Sequence, residues 1–495
     1  MTEDNNIEEP DKETQEPETE EQTEQAEEPV TPKRQRRSGW RTSFIILGAV
    51  AILVGVSFLP LSELTGGRLS DINLLSDIMK VAQLKESDMP GAFIDPELQQ
   101  ALEEEKDSRL QDTVMGQDSI PLIAPQPTKE GELVVIEDYT VDGKGLQRLR
   151  EAINAKPKRL ARIAVIGDSY IEGDIITQDL REMMQLEYGG HGAGYINMHS
   201  EFPGFRRSVA QSGGSGWKEY AANKKHDAQY MNLTQHYFKL TGASTSTYKG
   251  VTKVQNVDVW PVSKFVFVAP QNAVIQTKNG PEAEWVSHEV TGSPDLQEIE
   301  VRGTTGEFAV KSSSVGLVGL GVWLTDTAGV NVDCMSSRGF SGITLNKVSP
   351  ELSAQLSLKV PYDLIVLEFG INAMSASQTN YDGYGKQMVK VINHVRECYP
   401  NADILMLGIG DRGTKHGSEV HSMSVAKTMI AAQRESARHG RCLFFDTREA
   451  MGGEDAIVRW VNEGLANTDY VHLNHKGGRR LAESLFNAIK NNIDK

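Results

Sequence analysis

Arg162-Ile163-Ala164-Val165-Ile166-Gly167-Asp168-Ser169 sets a short apolar run against a Gly-Asp-Ser turn. A run of that length, closed by turn residues, reads as a buried strand. The residues after it read as a helix, because Ile175, Ile176, Leu180, Met183 and Leu186 fall on one face. Strand, glycine turn and helix together open a parallel α/β unit. The same alternation returns late in the chain. Residues 363–368, 402–409 and 442–446 are strand-like, while 384–398, 420–439 and 477–491 are helical. These segments predict a three-layer α/β/α sandwich, interrupted in the chain.

The interruption is the stretch 205–335. Its runs 264–268, 273–277, 285–290, 297–301, 308–311 and 318–324 alternate or are rich in β-formers. Gly, Ser, Asn and Asp turns separate them, and helical spacing is absent. This predicts an all-β sandwich inserted into the α/β domain, which then spans 145–204 and 336–495. Such sandwiches often bind carbohydrate, but architecture alone does not establish that.

Working back toward the N-terminus, residues 63–144 read as a stalk of short helices, such as 70–84 and 96–110, broken by Met89-Pro90-Gly91 and Ala124-Pro125-Gln126-Pro127. No chemistry is expected there. From Thr42 to Ser62 the chain carries no charge. Those residues would make a helix about 30 Å long, which matches a bilayer core. Lys33, Arg34, Arg36, Arg37 and Arg41 precede the run, and basic flanks stay cytoplasmic. The run is long and ends in Phe58-Leu59-Pro60-Leu61, so an uncleaved anchor is expected in place of a cleaved signal peptide. Everything after residue 62 is then placed across the inner membrane, in the periplasm or its equivalent. Residues 1–41 are an acidic tail with a basic flank, too poor in apolar side chains to fold.

The formal net charge is -17, but residues 1–30 hold thirteen acids against one Lys. The acidity therefore belongs to the tail and says little about a substrate. No basic stripe interleaved with aromatics is present, which excludes the usual nucleic-acid footprint. Cys334, Cys398 and Cys442 fit no zinc spacing. Cys398 and Cys442 either pair in an oxidising compartment or serve as small buried hydrophobes.

Ester hydrolysis through a covalent intermediate needs an activated nucleophile, an oriented base and donors for the oxyanion. Ser169 stands at the C-terminal end of the first strand, where open α/β sheets bind ligands. Alone, Gly-Asp-Ser fits an ordinary helix-capping turn equally well. Asp469-Tyr470-Val471-His472 changes the balance, because a three-residue step on a loop brings a carboxylate to the imidazole Nδ1. His475 is a rival with a less suitable spacing. Gly339-Phe340-Ser341-Gly342-Ile343 and Gly370-Ile371-Asn372-Ala373 follow predicted strands. The first offers a backbone N–H and the second an amide side chain. The expected site is therefore Ser169, Asp469 and His472, with Ser169, Gly342 and Asn372 as oxyanion donors and Gly339 as the alternative glycine. This chemistry requires no metal or cofactor.

These blocks resemble the SGNH hydrolase superfamily, also called GDSL, whose markers are Ser, Gly, Asn and His. Ser169, Gly342, Asn372 and the Asp469–His472 pair match them in order. The chain is most similar to bacterial peptidoglycan O-acetylesterases. Glu172-Gly173-Asp174, the turn from Gly189 to Gly194, Met451-Gly452-Gly453 and the Trp460 region carry that likeness. The resemblance covers about 145–495 and implies a flavodoxin-like hydrolase domain with an inserted carbohydrate-binding-like β domain. It departs where many relatives follow the Asn with an acid and this chain has Ala373. It implies an esterase that deacetylates a glycan, peptidoglycan or another envelope polysaccharide, and the anchor read at 42–62 would hold it at the membrane. Two alternatives stand beside it: an O-acetyltransferase working with a membrane O-acyltransferase, and a non-catalytic envelope scaffold.

Overall fold

The computed structural model of the chain describes residues 95–107, 121–123, 132–417 and 419–494. All of them belong to one compact unit, Lys85–Lys495. The acidic tail 1–41, the expected anchor 42–62 and most of the expected stalk lie outside the described residues. Among the described residues, no helix is long and apolar enough to cross a membrane.

The opening run forms a strand as read. The central sheet holds β1 (Glu137–Asp138), β2 (Leu160–Gly167), β3 (Gly329–Ser336), β4 (Leu364–Glu368), β5 (Asp403–Leu407) and β6 (Leu443–Phe445). Their spatial order is β1-β6-β5-β4-β2-β3. The neighbours from β3 to β6 pair in parallel, and only β1 runs antiparallel. Every residue of β2 and β4 is buried. Parallel strands covered by helices on both faces read as unbroken apolar runs for this reason. Each Ile, Val or Leu buried there contributes about 1.5–3 kcal/mol relative to exposure.

Helices Gln147–Ile153, Thr177–Tyr188 and His475–Ile493 pack on one another along one face. Pro350–Lys359, Asp382–Cys398 and Ala426–His439 form the second helical group. The result is a three-layer α/β/α fold. The late helix read from 420 begins at Ala426, because Glu419–Ser422 pairs with Gly413–His416 as a hairpin.

Two antiparallel sheets fill the chain between β2 and β3. One orders its strands as Val286–Val290, Ala273–Asn279, Glu307–Ser312, Ser244–Lys249 and Ala210–Gly213. The other orders Leu296–Thr305, Trp260–Val268, Val318–Thr325, His236–Leu240 and Trp217–Ala221, with Gly194–Ile196 added beside Val318–Thr325. Strand Trp260–Val268 shows how this region meets the rest. Phe265 and Phe267 join an apolar cluster inside the β region, while Val266 and Val268 join the core of the α/β layers. Successive side chains point to opposite faces, so one strand serves two cores. Its outer end also differs from the expected 205–335 boundaries. Residues 329–336 are β3 of the central sheet, and β structure begins at Gly194. The turn from Gly189 to Gly194 threads this junction. A Cβ on Gly192 would lie 2.2 Å from the Leu324 carbonyl oxygen.

Cys334, Cys398 and Cys442 are free and buried. Burial pushes the Cys398 thiol up to about 11 and the other two to about 12, with no thiolate at neutral pH.

Candidate active site

The strand order fixes where the site forms. Chain order reverses between β2 and β4, with β3 on the far side of β2. Ligands bind such sheets beyond the carboxyl ends of the strands at that switch point. Gly167 is in register with both Ser336 and Glu368. The three loops that follow, at 168–171, 337–342 and 369–373, therefore leave the sheet side by side.

Ser169 Oγ lies 3.0 Å from His472 Nε2, and His472 Nδ1 lies 2.8 Å from Asp469 Oδ2. The sequence step from Asp469 to His472 works because it closes a turn. The N–H groups of Val471 and His472 both donate to Asp469 Oδ1. The hairpin beneath is pinned by Ala466 bridging Leu473 and by two N–H bonds, from Leu465 and Ala466, onto the Trp460 carbonyl. Burial raises the Asp469 carboxyl, but the bonds from the His472 ring and from the two N–H groups outweigh it and hold the carboxyl below its usual value. An ionised carboxylate only accepts, so the Nδ1 proton points to Asp469 and Nε2 is left to accept from Ser169. The order is that of a nucleophile, a base and an orienting acid.

Asn372 arrives from β4. Its Nδ2 donates to Asp168 Oδ2 at 2.8 Å and to the Phe340 carbonyl at 3.0 Å. Both amide hydrogens are thus engaged, and an incoming oxyanion competes with the Phe340 carbonyl for one of them. The two candidate glycines differ in surroundings. Gly342 is buried with φ 95°, and a Cβ there would sit 2.8 Å from the Phe369 ring. Gly339 is exposed with φ 83° and nothing within 4 Å of its Cβ direction. Packing explains why residue 342 is glycine, whereas Gly339 precedes Phe340, whose carbonyl receives Asn372. Among the described residues, the N–H groups of Ser169, Gly339 and Gly342 donate to no backbone acceptor outside the regular elements.

Two acids at the site were not singled out in the sequence. Glu368 ends β4, is buried, and its Oε2 has no hydrogen-bond partner. It occupies the space a side chain on Gly167 would need, since a Cβ there would lie 2.7 Å from Glu368 Oε2. Burial and the nearby Asp168 push its carboxyl well above the usual range. The visible signal was an acid closing an otherwise apolar strand. Asp95 came from the region expected to hold no chemistry. It is buried ahead of helix Pro96–Asp107. Ser341 N–H and Oγ donate to Asp95 Oδ2 at 2.9 and 2.7 Å, and Asp95 N–H donates to the Asn372 carbonyl at 3.3 Å. One residue thus ties together the loops that carry both oxyanion candidates.

His475 stays out of the relay. It opens the last helix, and its Nδ1 is buried without a partner. Burial, then the charge of Arg207, hold it below the usual histidine value, opposed by Asp174. Met451, singled out by resemblance, lies beneath the nucleophile's neighbour, with Tyr170 Oη donating to its sulfur at 3.2 Å.

Residues 317–480 match the model of the GDSL-like Lipase/Acylhydrolase family. A solved structure described as a peptidoglycan O-acetylesterase in action superposes with TM-score 0.60 at 21% identity. That match covers 72% of this chain and 99% of the other. A family two carbohydrate esterase from Cellvibrio japonicus matches at 12% identity over 58% of this chain and 98% of its own, with a TM-score of 0.25 too low to carry an argument. No curated protein sequence matches. The family match over 317–480 and a serine–histidine–aspartate relay at the switch point of an α/β fold, like that of the O-acetylesterase structure, are the make-up of a serine ester hydrolase similar to the GDSL-like lipases and acylhydrolases.

Proposed function

We propose that the chain removes O-acetyl groups from a cell-envelope glycan, peptidoglycan foremost, while held by residues 42–62 in the inner membrane with its catalytic part outside. The observation that carries the reaction is the continuous relay from Ser169 Oγ to Asp469. The glycan assignment draws support from the likeness to the peptidoglycan O-acetylesterase structure, which runs over nearly that whole chain. The anchor draws support from the uncharged run 42–62 and its basic flank.

In this reading Ser169 Oγ attacks the acetyl carbonyl carbon as His472 Nε2 takes the hydroxyl proton. The Ser169 N–H, a glycine N–H from the 339–342 loop and the Asn372 amide hold the oxyanion. Collapse expels the glycan oxygen, which takes the proton back from His472. Water, deprotonated by His472, then cleaves the acetyl-serine, and acetate leaves. Asp469 keeps the imidazole oriented and stabilises its charged form throughout.

The test uses the full chain in detergent with O-acetylated peptidoglycan, measuring free acetate for the native chain and Ser169→Ala. Release by the native chain alone supports the proposal. If the native chain cleaves an aryl acetate through Ser169 but frees no acetate from the glycan, hydrolysis of that glycan is wrong. Acetylated acceptor sugar in the products would then identify a transferase.

A further inference from the structure

Arg412 is buried, with 4% of its surface exposed, and the hydrolytic relay does not use it. A guanidinium is rarely buried without partners that offset its lost hydration. Its surroundings show what it holds. It sits on the loop that leaves β5, Gly408-Ile409-Gly410-Asp411-Arg412-Gly413. That loop is firmly seated. Gly408 N–H donates to the Phe445 carbonyl at 2.9 Å. The buried Asp411 carboxyl accepts from Arg448 Nε at 2.9 Å, from Ser422 Oγ at 2.8 and 2.7 Å, and from the Ile457 N–H at 3.0 Å. A Cβ on Gly410 would fall 2.2 Å from the hydroxyl of Tyr170, the residue after the nucleophile.

The end of the loop reaches both halves of the site. Arg412 Nη1 donates to the Ile371 carbonyl at 3.1 Å. Ile371 immediately precedes Asn372, so this bond fixes the peptide from which the amide side chain springs. Gly413 N–H donates to the Tyr470 carbonyl at 2.9 Å. Tyr470 lies between Asp469 and His472 in the left-handed region, with φ 57°. A tyrosine stays in that region only where its surroundings hold it. Residues 412 and 413, adjacent in the chain, therefore join the oxyanion loop to the acid–base loop. Burial draws the Arg412 guanidinium below its usual value, opposed by Tyr381 and then by Asp469, the orienting acid of the relay. It remains a cation at any working pH.

We propose that Arg412 is a positioning residue for ester hydrolysis: its bond to the Ile371 carbonyl holds the Asn372 amide in register with the Ser169–His472 pair. The inference rests on the esterase chemistry and is independent of which ester is natural. Asn372 must trade its bond to the Phe340 carbonyl for one to the oxyanion, so its backbone has to stay in place while its side chain changes partner. Oxyanion donors act at about 2.7–3.1 Å from the developing charge. A misplacement of about 1 Å at such a site can cost roughly 10²-fold in rate.

The test is a double-mutant cycle on the full chain in detergent, with an aryl acetate as substrate. Acylation and deacylation both pass through a tetrahedral oxyanion, so kcat reports on the hole whichever step is slower. Arg412→Met is expected to lower kcat by at least about tenfold, with KM within about twofold of native. Arg412→Lys recovers part of the loss. In an Asn372→Ala background the same Arg412→Met change costs less than about twofold, because the donor it positions is gone. Additive losses, or native kcat in Arg412→Met, overturn the proposal. If Arg412→Met does not fold by circular dichroism, Arg412→Gln takes its place in the cycle. A native chain inert toward the aryl acetate overturns the esterase reading and this inference with it. An active native chain with additive losses overturns the role of Arg412 alone.

Discussion

Asp174 and Asp168 are six residues apart and both fully buried, yet their carboxyls move in opposite directions. Burial alone raises both. At Asp174 the charges of Arg181 and Arg206, with hydrogen bonds from Arg181 and Ser208, outweigh burial and hold the carboxyl far below its usual range. At Asp168 burial wins over the Tyr170 N–H, the His472 charge and the Asn372 amide, and the carboxyl is pushed up to about 7. Glu368, beside Asp168, is also pushed well above its usual range, by burial and by Asp168. The difference teaches what each acid is for. Asp174 is a structural rivet joining the helix after the nucleophile to the segment at Arg206. Among the described residues no guanidinium is seen hydrogen-bonded to Asp168 or Glu368, and Asp168 holds Asn372 in place.

The most damaging way to break the comparison is to remove the rivet. Asp174→Ala strands Arg181, which is fully buried, and should destabilise the fold by roughly 3–5 kcal/mol. Denaturant unfolding measures it, and a loss below 1 kcal/mol would mean that the pair contributes little net stability. Next is Asn372→Ala, which takes away both an oxyanion donor and the partner of Asp168. It should lower kcat on an aryl acetate by about 10²–10³ with KM little changed. A change confined to KM would remove Asn372 from the transition state.

The unpaired side gives an effect of opposite sign. A carboxyl raised in the fold binds a proton that the unfolded chain has released, so stability falls as pH rises from the unfolded value toward the folded one. Glu368→Gln should therefore gain on the native chain as pH rises above the ordinary glutamate value, by about 1.4 kcal/mol per unit. Parallel stability curves for the two proteins would show that Glu368 does not carry that proton. The smallest change sharpens the contrast with a third acid. Asp95 is held by neutral donors, Ser341 N–H and Oγ and the Glu97 N–H. Asp95→Ala leaves those donors unsatisfied and should cost about 1–3 kcal/mol. If Asp95 also positions the oxyanion loops, kcat falls while KM holds, and Asp95→Asn recovers part of it. Equal kcat in all three proteins would confine Asp95 to stability.

Much of this was legible in the residues. The apolar run ending at Gly167-Asp168-Ser169, the Asp469–His472 step and the parallel alternation after 363 are local patterns, and local patterns report strand, turn and helix directly. The β-rich stretch was visible for the same reason. Its outer end was not, because β3 and the antiparallel strands before it are equally apolar, and only pairing tells them apart. Asp95 was hidden because its partners, Ser341 and Asn372, lie more than two hundred residues away.

By itself, the sequence determined the chemistry available: a serine after a buried strand, a histidine with its aspartate on one loop, and an asparagine after a second strand. Tertiary structure alone decided how those groups meet and which acids keep their protons. Strand order placed β2 beside β4, so that loops from distant parts of the chain share one edge. The same folding set Asp174 against two guanidiniums and left Glu368 with an unpartnered oxygen. Hydrogen bonds, packing and desolvation act through space, and residues far apart in the chain become neighbours only once it has folded.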